Sequence, residues 1–457
     1  VENKKMQIII VGCGKVGMAL AAKLSVEDHN ITVVDTDSNA LQMVANTYDV
    51  RGIVGNGASY SVLAEADLDQ TDLIIAVTES DELNLLCCVI AKKAGRCQTI
   101  ARVRNPIYID ERIFIKEELG LSMIINPEFA AAMEISRLLC FPSAIEIDTF
   151  AKGRVEMLRL RISDTCILDG MALKRLPSSL GCDILICAVE RNEEVTIPSG
   201  DFILRVGDTL SMVASHKNAA KFFHKIGLKT HQVKNTMLIG GGQISVYLAQ
   251  ILQKMGIMVK IIELNERRCE ELCDLLPKAI IICGDGSDEE LLREERIDQM
   301  DSVVTLTGID EENIILSLFA KTKVKVKTVT KLNRLQINEV IRSLDLDSVV
   351  YPKHLTAEAI LQYVRATQNS IGSNVETLYK LIDDKVEALE FHIQKHSRVA
   401  NICLQELKIR EDVLVACISR NGKVIIPGGR DKILPGDSVV VVTTCSGLTD
   451  VENILAD

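Results

Sequence analysis

The chain has 457 residues, of which 47% are hydrophobic and 25% charged, and carries a formal net charge of −11. A domain runs to about 100–200 residues, so three or four domains are expected, with enough apolar residues to exclude long disordered stretches. The acidic balance excludes a nucleic-acid partner, whose phosphates demand a basic surface, and no Lys/Arg block is present to grip an anionic lipid surface.

From the start of the chain, Val1–Lys5 is polar and meets the first strand almost at once, which leaves no room for a signal peptide. Apolar runs such as Ile8–Val11 and Val439–Val442 fall far short of the roughly 20 residues that span a bilayer. A soluble, cytoplasmic chain is expected. Ile8–Val11 reads as a buried strand, and the fingerprint Gly12-Cys13-Gly14-Lys15-Val16-Gly17 follows it and opens a helix. In that setting Gly12 permits the tight turn, Gly14 lets backbone approach a pyrophosphate, and Gly17 lets helix pack closely on strand. The helix N-terminus offers free N–H groups to an anion. Cys13 and Val16 fill the variable positions, and Lys15 is a phosphate candidate acting as a point charge.

The second strand ends at Asp35, where an acid accepts hydrogen bonds from an adenosine ribose and disfavours the 2′-phosphate of NADP; the other reading is a turn or helix-cap aspartate. Asn56-Gly57 follows the third strand and Thr78-Glu79 the fourth, beyond the carboxyl ends where a doubly wound sheet holds its ligand. They are expected to touch adenine and pyrophosphate. Arg102, on the fifth strand with Arg104 on the same face, either reaches a phosphate or makes an ion pair at the sheet edge. Pro127 then starts a helix over Glu128–Cys140. Beyond it, Ala188–Val213 reads as short antiparallel strands of a small unit, with Arg191-Asn192 between β-rich runs and Gly207-Asp208 opening a final strand.

From Thr236 the chain is written again. TMLIGGGQISVYLAQIL repeats IIIVGCGKVGMALAAKL, and CISRNGKVIIPGGRDKILPGDSVVVV (Cys417–Val442) repeats Ala188–Val213, with Asn421-Gly422 as a hairpin signal. Gly12 falls on Gly240 and Asn84 on Asn313, and the offset changes by only one residue between them. In the second copy Gly240, Gly241 and Gly242 supply the loop, and Gln243 and Ile244 open the helix. Ser245 stands where the third glycine belongs, so its Cβ is expected to push helix from strand. Glu263 replaces Asp35, and Asp285-Gly286, Thr307 and Lys331 match Asn56-Gly57, Thr78 and Arg102. The expectation is a second pocket of altered affinity or preference, or an empty one. Pro352 starts a helix over Lys353–Ala366.

Strand–helix alternation predicts an α/β chain with two Rossmann-like, doubly wound parallel sheets, each followed by a small α+β domain. The expected boundaries are 6–142, 143–228, 234–368 and 372–456.

Fourteen cysteines suggest disulfides or metal, but Cys13, Cys87, Cys88, Cys187, Cys283 and Cys417 lie in apolar segments or glycine turns, and no pair has C-x2-C spacing. Cys269 and Cys273 sit four apart on an acidic helix with no second pair following. Buried, reduced thiols are expected, and no metal; a redox role for Cys13 is the other reading. Catalysis by an NAD-dependent oxidoreductase would need an acid/base group near the nicotinamide. None of the seven histidines (His29, His216, His224, His231, His354, His392, His396) lies in the strand-end loops of the first copy, and no distinct substrate domain is present, so no catalytic residue is assigned.

The order of units, the Gly12–Gly17 fingerprint, Asp35, the Gly55-Asn56-Gly57 and Gly284-Asp285-Gly286 loops and the hairpins at Pro198 and Pro427 together resemble the TrkA potassium-uptake family, whose halves are regulator-of-potassium-conductance units. The resemblance covers nearly the whole chain. It implies a cytoplasmic protein, peripheral on the inner face of the membrane, that binds NAD or NADH in competition with ATP/ADP. It further implies a homo-oligomer, a tetramer, assembled in a ring on a TrkH-like membrane potassium channel or transporter subunit whose gating it changes. A cation/proton antiporter is the other partner left open. Ser245 and Lys15, where relatives often carry Gln or Arg, depart from the family pattern.

Overall fold

Strands rich in Ile and Val with little alternation are suited to burial on both faces, and they form the centres of two parallel sheets. The computed structural model describes residues 5–456 apart from 28, 96, 106–107, 109–110, 141–145, 151–154, 164–165, 177–179, 193, 215, 227–232, 324–326, 334–343, 345, 370–374, 383–384, 422, 446–447 and 449. The expected boundaries at 142–143, 228 and 372, and Gly422 of the hairpin signal, lie outside the described residues.

The first sheet comprises β1 (Gln7–Val11), β2 (Asn30–Asp35), β3 (Arg51–Val54), β4 (Leu73–Ala76), β5 (Gln98–Arg102) and β6 (Met123–Ile125). Its order is β3-β2-β1-β4-β5-β6, and β1 pairs in parallel with both β2 and β4. The order reverses between β1 and β4, which opens a crevice at their carboxyl ends. A small antiparallel sheet follows, made of β7 (Glu146–Phe150), β8 (Val155–Arg161), β9 (Ile184–Arg191), β10 (Glu194–Thr196) and β11 (Thr209–Ala214), in the order β10-β9-β11-β8-β7.

The second half repeats this plan. β12 (Asn235–Ile239), β13 (Met258–Glu263), β14 (Ile280–Cys283), β15 (Ser302–Thr305), β16 (Lys327–Lys331) and β17 (Ser348–Val350) take the order β14-β13-β12-β15-β16-β17. β18 (Val375–Leu381), β19 (Val386–His392), β20 (Val413–Arg420), β21 (Lys423–Ile425) and β22 (Ser438–Thr443) form the last sheet, ordered β18-β19-β22-β20-β21. The β9–β10 and β20–β21 turns carry Asn192 and Asn421 at φ 52° and 50°, a region asparagine enters more readily than most residues. Each Gly-Asp that precedes the final strand does more than start it. Asp208 accepts a two-pronged bond from Arg191 (Nε to Oδ1 2.7 Å, Nη2 to Oδ2 2.7 Å), and Asp437 does the same for Arg420 (2.9 and 2.7 Å). The copies differ at their ends: the helix His216–Lys225 of the first small unit has the 3-10 turn Val451–Ile454 as its counterpart.

The two halves exchange helices. Pro127–Cys140 buries Ala131, Ala132, Ile135, Leu138 and Leu139 in one core with Leu248, Ala249 and Leu252 of the second copy's helix Gln243–Lys254. Pro352–Asn369 returns the favour, placing Ala357, Ile360, Leu361 and Val364 against Val16, Leu20 and Leu24 of the first copy's helix Lys15–Val26. Polar ties seal the exchange: Asn126 Nδ2 donates to Tyr247 Oη (3.2 Å), Tyr247 Oη to the Arg104 carbonyl (2.6 Å), and Tyr363 Oη to Gln98 Oε1 (2.6 Å). Arg365, buried, pairs with Glu27. With the helices exchanged, residues of both glycine loops border one cavity.

Among the described residues no helix is long and apolar enough to cross a membrane, and no His/Cys/Asp/Glu group is arranged to hold a metal. All fourteen cysteines are free. Most are buried as expected, but Cys273 and Cys283 are exposed. Cys283 ends β14, the edge strand of its sheet, which leaves its side uncovered.

Candidate nucleotide site

The first glycine loop is built as the fingerprint requires. Gly12 has φ +104°, and a Cβ there would lie 2.9 Å from the Thr78 nitrogen. A Cβ on Gly17 would lie 1.9 Å from the Gly12 carbonyl oxygen, so helix and loop touch through that hydrogen. A Cβ on Gly14 would meet nothing within 4 Å. Asp35 is not a helix cap; Asp37 caps the helix Ser38–Thr47 instead. The Asp35 carboxylate accepts the Cys13 N–H on one oxygen and the Asp37 N–H on the other (2.9 Å), which fixes it at the mouth of the loop with lone pairs left for a ligand hydroxyl. The second copy repeats this geometry: Glu263 accepts from Gly241 N (2.7 Å) and Asn265 N (2.8 Å). Ser245 keeps its Cβ and turns its hydroxyl onto the Gly240 carbonyl.

A buried asparagine sets the opposite wall. Asn84 Oδ1 accepts from Thr78 N (2.8 Å) and Thr78 Oγ1 (2.7 Å), while Nδ2 donates to the carbonyls of Thr78 (3.1 Å) and Arg102 (2.9 Å). It therefore ties the end of β4 to the end of β5. Arg102 Nη2 donates to the Thr78 carbonyl (2.7 Å). β5 lies inside the sheet, so the reading of Arg102 as an edge ion pair is replaced by this strand-end contact. Asn313, Thr307 and Lys331 reproduce the arrangement, with Thr307 N to Asn313 Oδ1 at 2.9 Å, Asn313 Nδ2 to Lys331 O at 3.0 Å and Lys331 Nζ to Thr307 O at 2.6 Å. Asn84 and Asn313 marked the repeat in the sequence, but their role as strand-end clamps escaped sequence reasoning; equal spacing from Thr78 and Thr307 was the available signal.

One cavity of about 1020 Å³ gathers most of these groups. Gly12, Cys13, Gly14, Lys15, Val16, Asp35, Asn56, Gly57, Thr78, Glu79 and Arg102 line it from the first copy. Gly242, Gln243, Ile244 and Lys331 line it from the second. Gly17 lies beneath the loop, and Gly240, Gly241, Glu263, Asp285 and Thr307 do not border this cavity. Gly57 serves packing as well, since a Cβ there would lie 2.2 Å from Val11 Cγ1. Sequence reasoning missed Glu128 and Lys353, which occupy equivalent positions after Pro127 and Pro352, carry opposite charge and both border the cavity. The paired prolines at the last strand of each copy were the signal that could have found them.

Both signs of charge border the cavity, Lys15, Arg102, Arg104, Lys331 and Lys353 against Asp35, Asp37, Glu79 and Glu128. Burial lowers the Arg102 and Lys331 pKa values from their usual range, and Glu128 opposes that shift at both cations. Arg102 Nε and Glu128 Oε2 are buried without a hydrogen-bond partner in side chains that border the cavity. The volume sits at the upper end of ligand pockets, roughly 300–1,000 Å³, room for an extended nucleotide. Among the described residues that border the cavity there is no histidine. Burial, then the carboxylates of Asp35 and Asp37, raise the Cys13 thiol pKa, the opposite of an activated cysteine.

The TrkA-N domain model matches residues 8–127 and 236–352, and the TrkA-C domain model matches 157–227 and 388–456. A Trk system potassium uptake protein TrkA homolog from Methanosarcina mazei is 32% identical over 457 residues, covering 98% of this chain and 100% of that one. The Trk system potassium uptake protein TrkA of Haemophilus influenzae is 30% identical over 98% of this chain and 97% of its own. Among solved structures, the GsuK channel bound to NAD superposes with a TM-score of 0.63 at 16% identity, over 97% of this chain and 77% of that one, which shows a shared fold.

Proposed function

Because this chain belongs to the TrkA family of potassium-uptake proteins, we propose that it is a regulatory, non-catalytic subunit that binds an adenine nucleotide and adjusts potassium flux through a membrane channel or transporter. NAD(H) and ATP/ADP compete for the first site. The adenosine lies against Asp35 and the Gly12–Gly17 loop, and the distal half extends toward Arg102, Lys331 and Gln243. The GsuK channel, which shares this fold, is seen bound to NAD, and that supports the ligand class.

The observation that carries this reading is the shared cavity. Residues of both copies line it, so a ligand anchored by adenosine in the first copy would reach the second with its distal half. NADH and ATP share the anchor and differ in that half. Each ligand therefore favours its own placement of the two copies, and a tenfold difference in affinity between two placements shifts their balance by about 1.4 kcal/mol. Several chains in a ring, as a homo-oligomeric tetramer on the cytoplasmic face of a TrkH-like subunit, would add these biases. Exposed Leu86 and Ile315, equivalent positions on the repeated helices Asp81–Ala94 and Asp310–Lys323, supply apolar surface for such assembly.

Competition calorimetry tests the site: saturating ATP is expected to abolish the NADH binding isotherm of the full chain. Undiminished NADH binding in saturating ATP would refute a common site.

A further inference from the structure

The two copies hold their acids alike, so Asp35 and Glu263 do not explain why the cavity borders one and not the other. Packing under the loops is also balanced. Cys13 and Val44 share one core in the first copy; in the second, Gly241 makes room for the larger Leu272, whose Cδ1 would sit 2.5 Å from a Cβ on the glycine. The difference lies about one helical turn before Val44 and Leu272. Where Ala40 borders the first cavity, the second copy has Arg268, on the first turn of the helix Glu266–Leu275. Its Nε donates to the Gly241 carbonyl (2.9 Å) and its Nη1 to Glu271 Oε2 (2.6 Å). The guanidinium thus ties helix to glycine loop at Gly241, the residue whose N–H Glu263 accepts, where the first copy has only the methyl of Ala40.

We propose that Arg268 is a built-in stopper of the second copy's adenosine pocket. It leaves that copy only its phosphate-facing half, Gly242, Gln243, Ile244 and Lys331, which serves the ligand of the first site. One chain then holds one adenine nucleotide. The proposal rests on the nucleotide reading above and goes further by assigning occupancy and the residue that sets it. The arginine is held by a neutral carbonyl and an exposed glutamate, so a ligand must break two hydrogen bonds and displace the side chain before a ribose reaches Glu263.

Equilibrium dialysis of the full chain with ADP tests it. The wild type is expected to bind one ADP per chain, and Arg268→Ala two. At ADP concentrations that saturate the wild type but not a site lacking its acid, Asp35→Ala/Arg268→Ala is expected to return to one, now at the second copy, and adding Glu263→Ala to that double variant removes it. Two ADP per wild-type chain would overturn the stopper, and so would Arg268→Ala remaining at one. Fewer ADP bound to Arg268→Ala than to wild type would make Arg268 a ligand-holding residue instead, again overturning it. No binding to either protein would refute the nucleotide reading along with the proposal, whereas one ADP on both refutes the stopper alone.

Discussion

Replacing Asn84 with alanine removes a clamp that is wholly buried. The Thr78 carbonyl keeps Arg102 Nη2 as a partner, but the Thr78 N–H and the Arg102 carbonyl lose the amide they bond. Each buried group left unsatisfied costs about 1–3 kcal/mol, so with two such groups the first parallel sheet is expected to lose roughly 2–6 kcal/mol. A multidomain chain need not unfold in one step, so hydrogen exchange resolved by peptide is the appropriate assay. Exchange is expected to speed up at β4 and β5 and the Thr78–Asp81 turn, while β15 and β16 stay protected. Asn313→Ala is the internal control and should reverse the pattern. First-site ADP affinity should fall in Asn84→Ala, because Thr78 and Arg102 border the cavity. A local destabilisation below about 1 kcal/mol would refute the claim that this asparagine holds the strand ends.

Asp35→Ala is expected to weaken both NADH and ATP by about 1–3 kcal/mol, since both ligands present an adenosine; unchanged affinity for both by calorimetry would reject the ribose assignment. Gly17→Ala drives a Cβ onto the Gly12 carbonyl, 1.9 Å away, so the loop must shift and first-site ADP affinity should drop at least tenfold, or about 1.4 kcal/mol. Binding within twofold of wild type would show that the loop yields freely. Burial raises the Asp208 pKa, yet the Arg191 fork and the Arg205 N–H outweigh it and hold the carboxyl below its usual value. A depressed folded pKa contributes stability that is present above about pH 3.9 and is lost as pH falls through the folded value. Urea titrations of the wild type should therefore show this contribution intact from neutral pH down to about 5 and fading only below about 4; Asp208→Asn should lack it at every pH.

The duplication, the order of units and both parallel sheets were legible because glycine turns and β-rich runs recur in register from Gly12/Gly240 to Asn84/Asn313. The residues of the first loop were legible too, since φ +104° at Gly12 and the contact at Gly17 are backbone demands that leave a mark in the sequence. What pattern could not reveal was the relation between the copies. That Pro127–Cys140 packs on the other copy's helix follows from tertiary fit, as do the joining of two crevices and the entry of Glu128, Lys331 and Lys353 into one cavity. Arg268 was equally silent: a charged residue on the first turn of a surface helix looks ordinary until its bond to the Gly241 carbonyl is seen.

Potassium-analogue flux through liposomes containing the reconstituted channel complex tests the regulatory account most directly. With wild-type protein, flux should differ between ATP and ADP, and NADH should compete with both. At nucleotide concentrations that just saturate the wild type, Asp35→Ala should markedly reduce every nucleotide effect. Arg102→Ala or Lys15→Ala should keep NADH binding within a few-fold yet blunt the ATP/ADP contrast. Flux that is the same with ATP, ADP, NADH and no nucleotide, in a complex shown to be assembled, would contradict it.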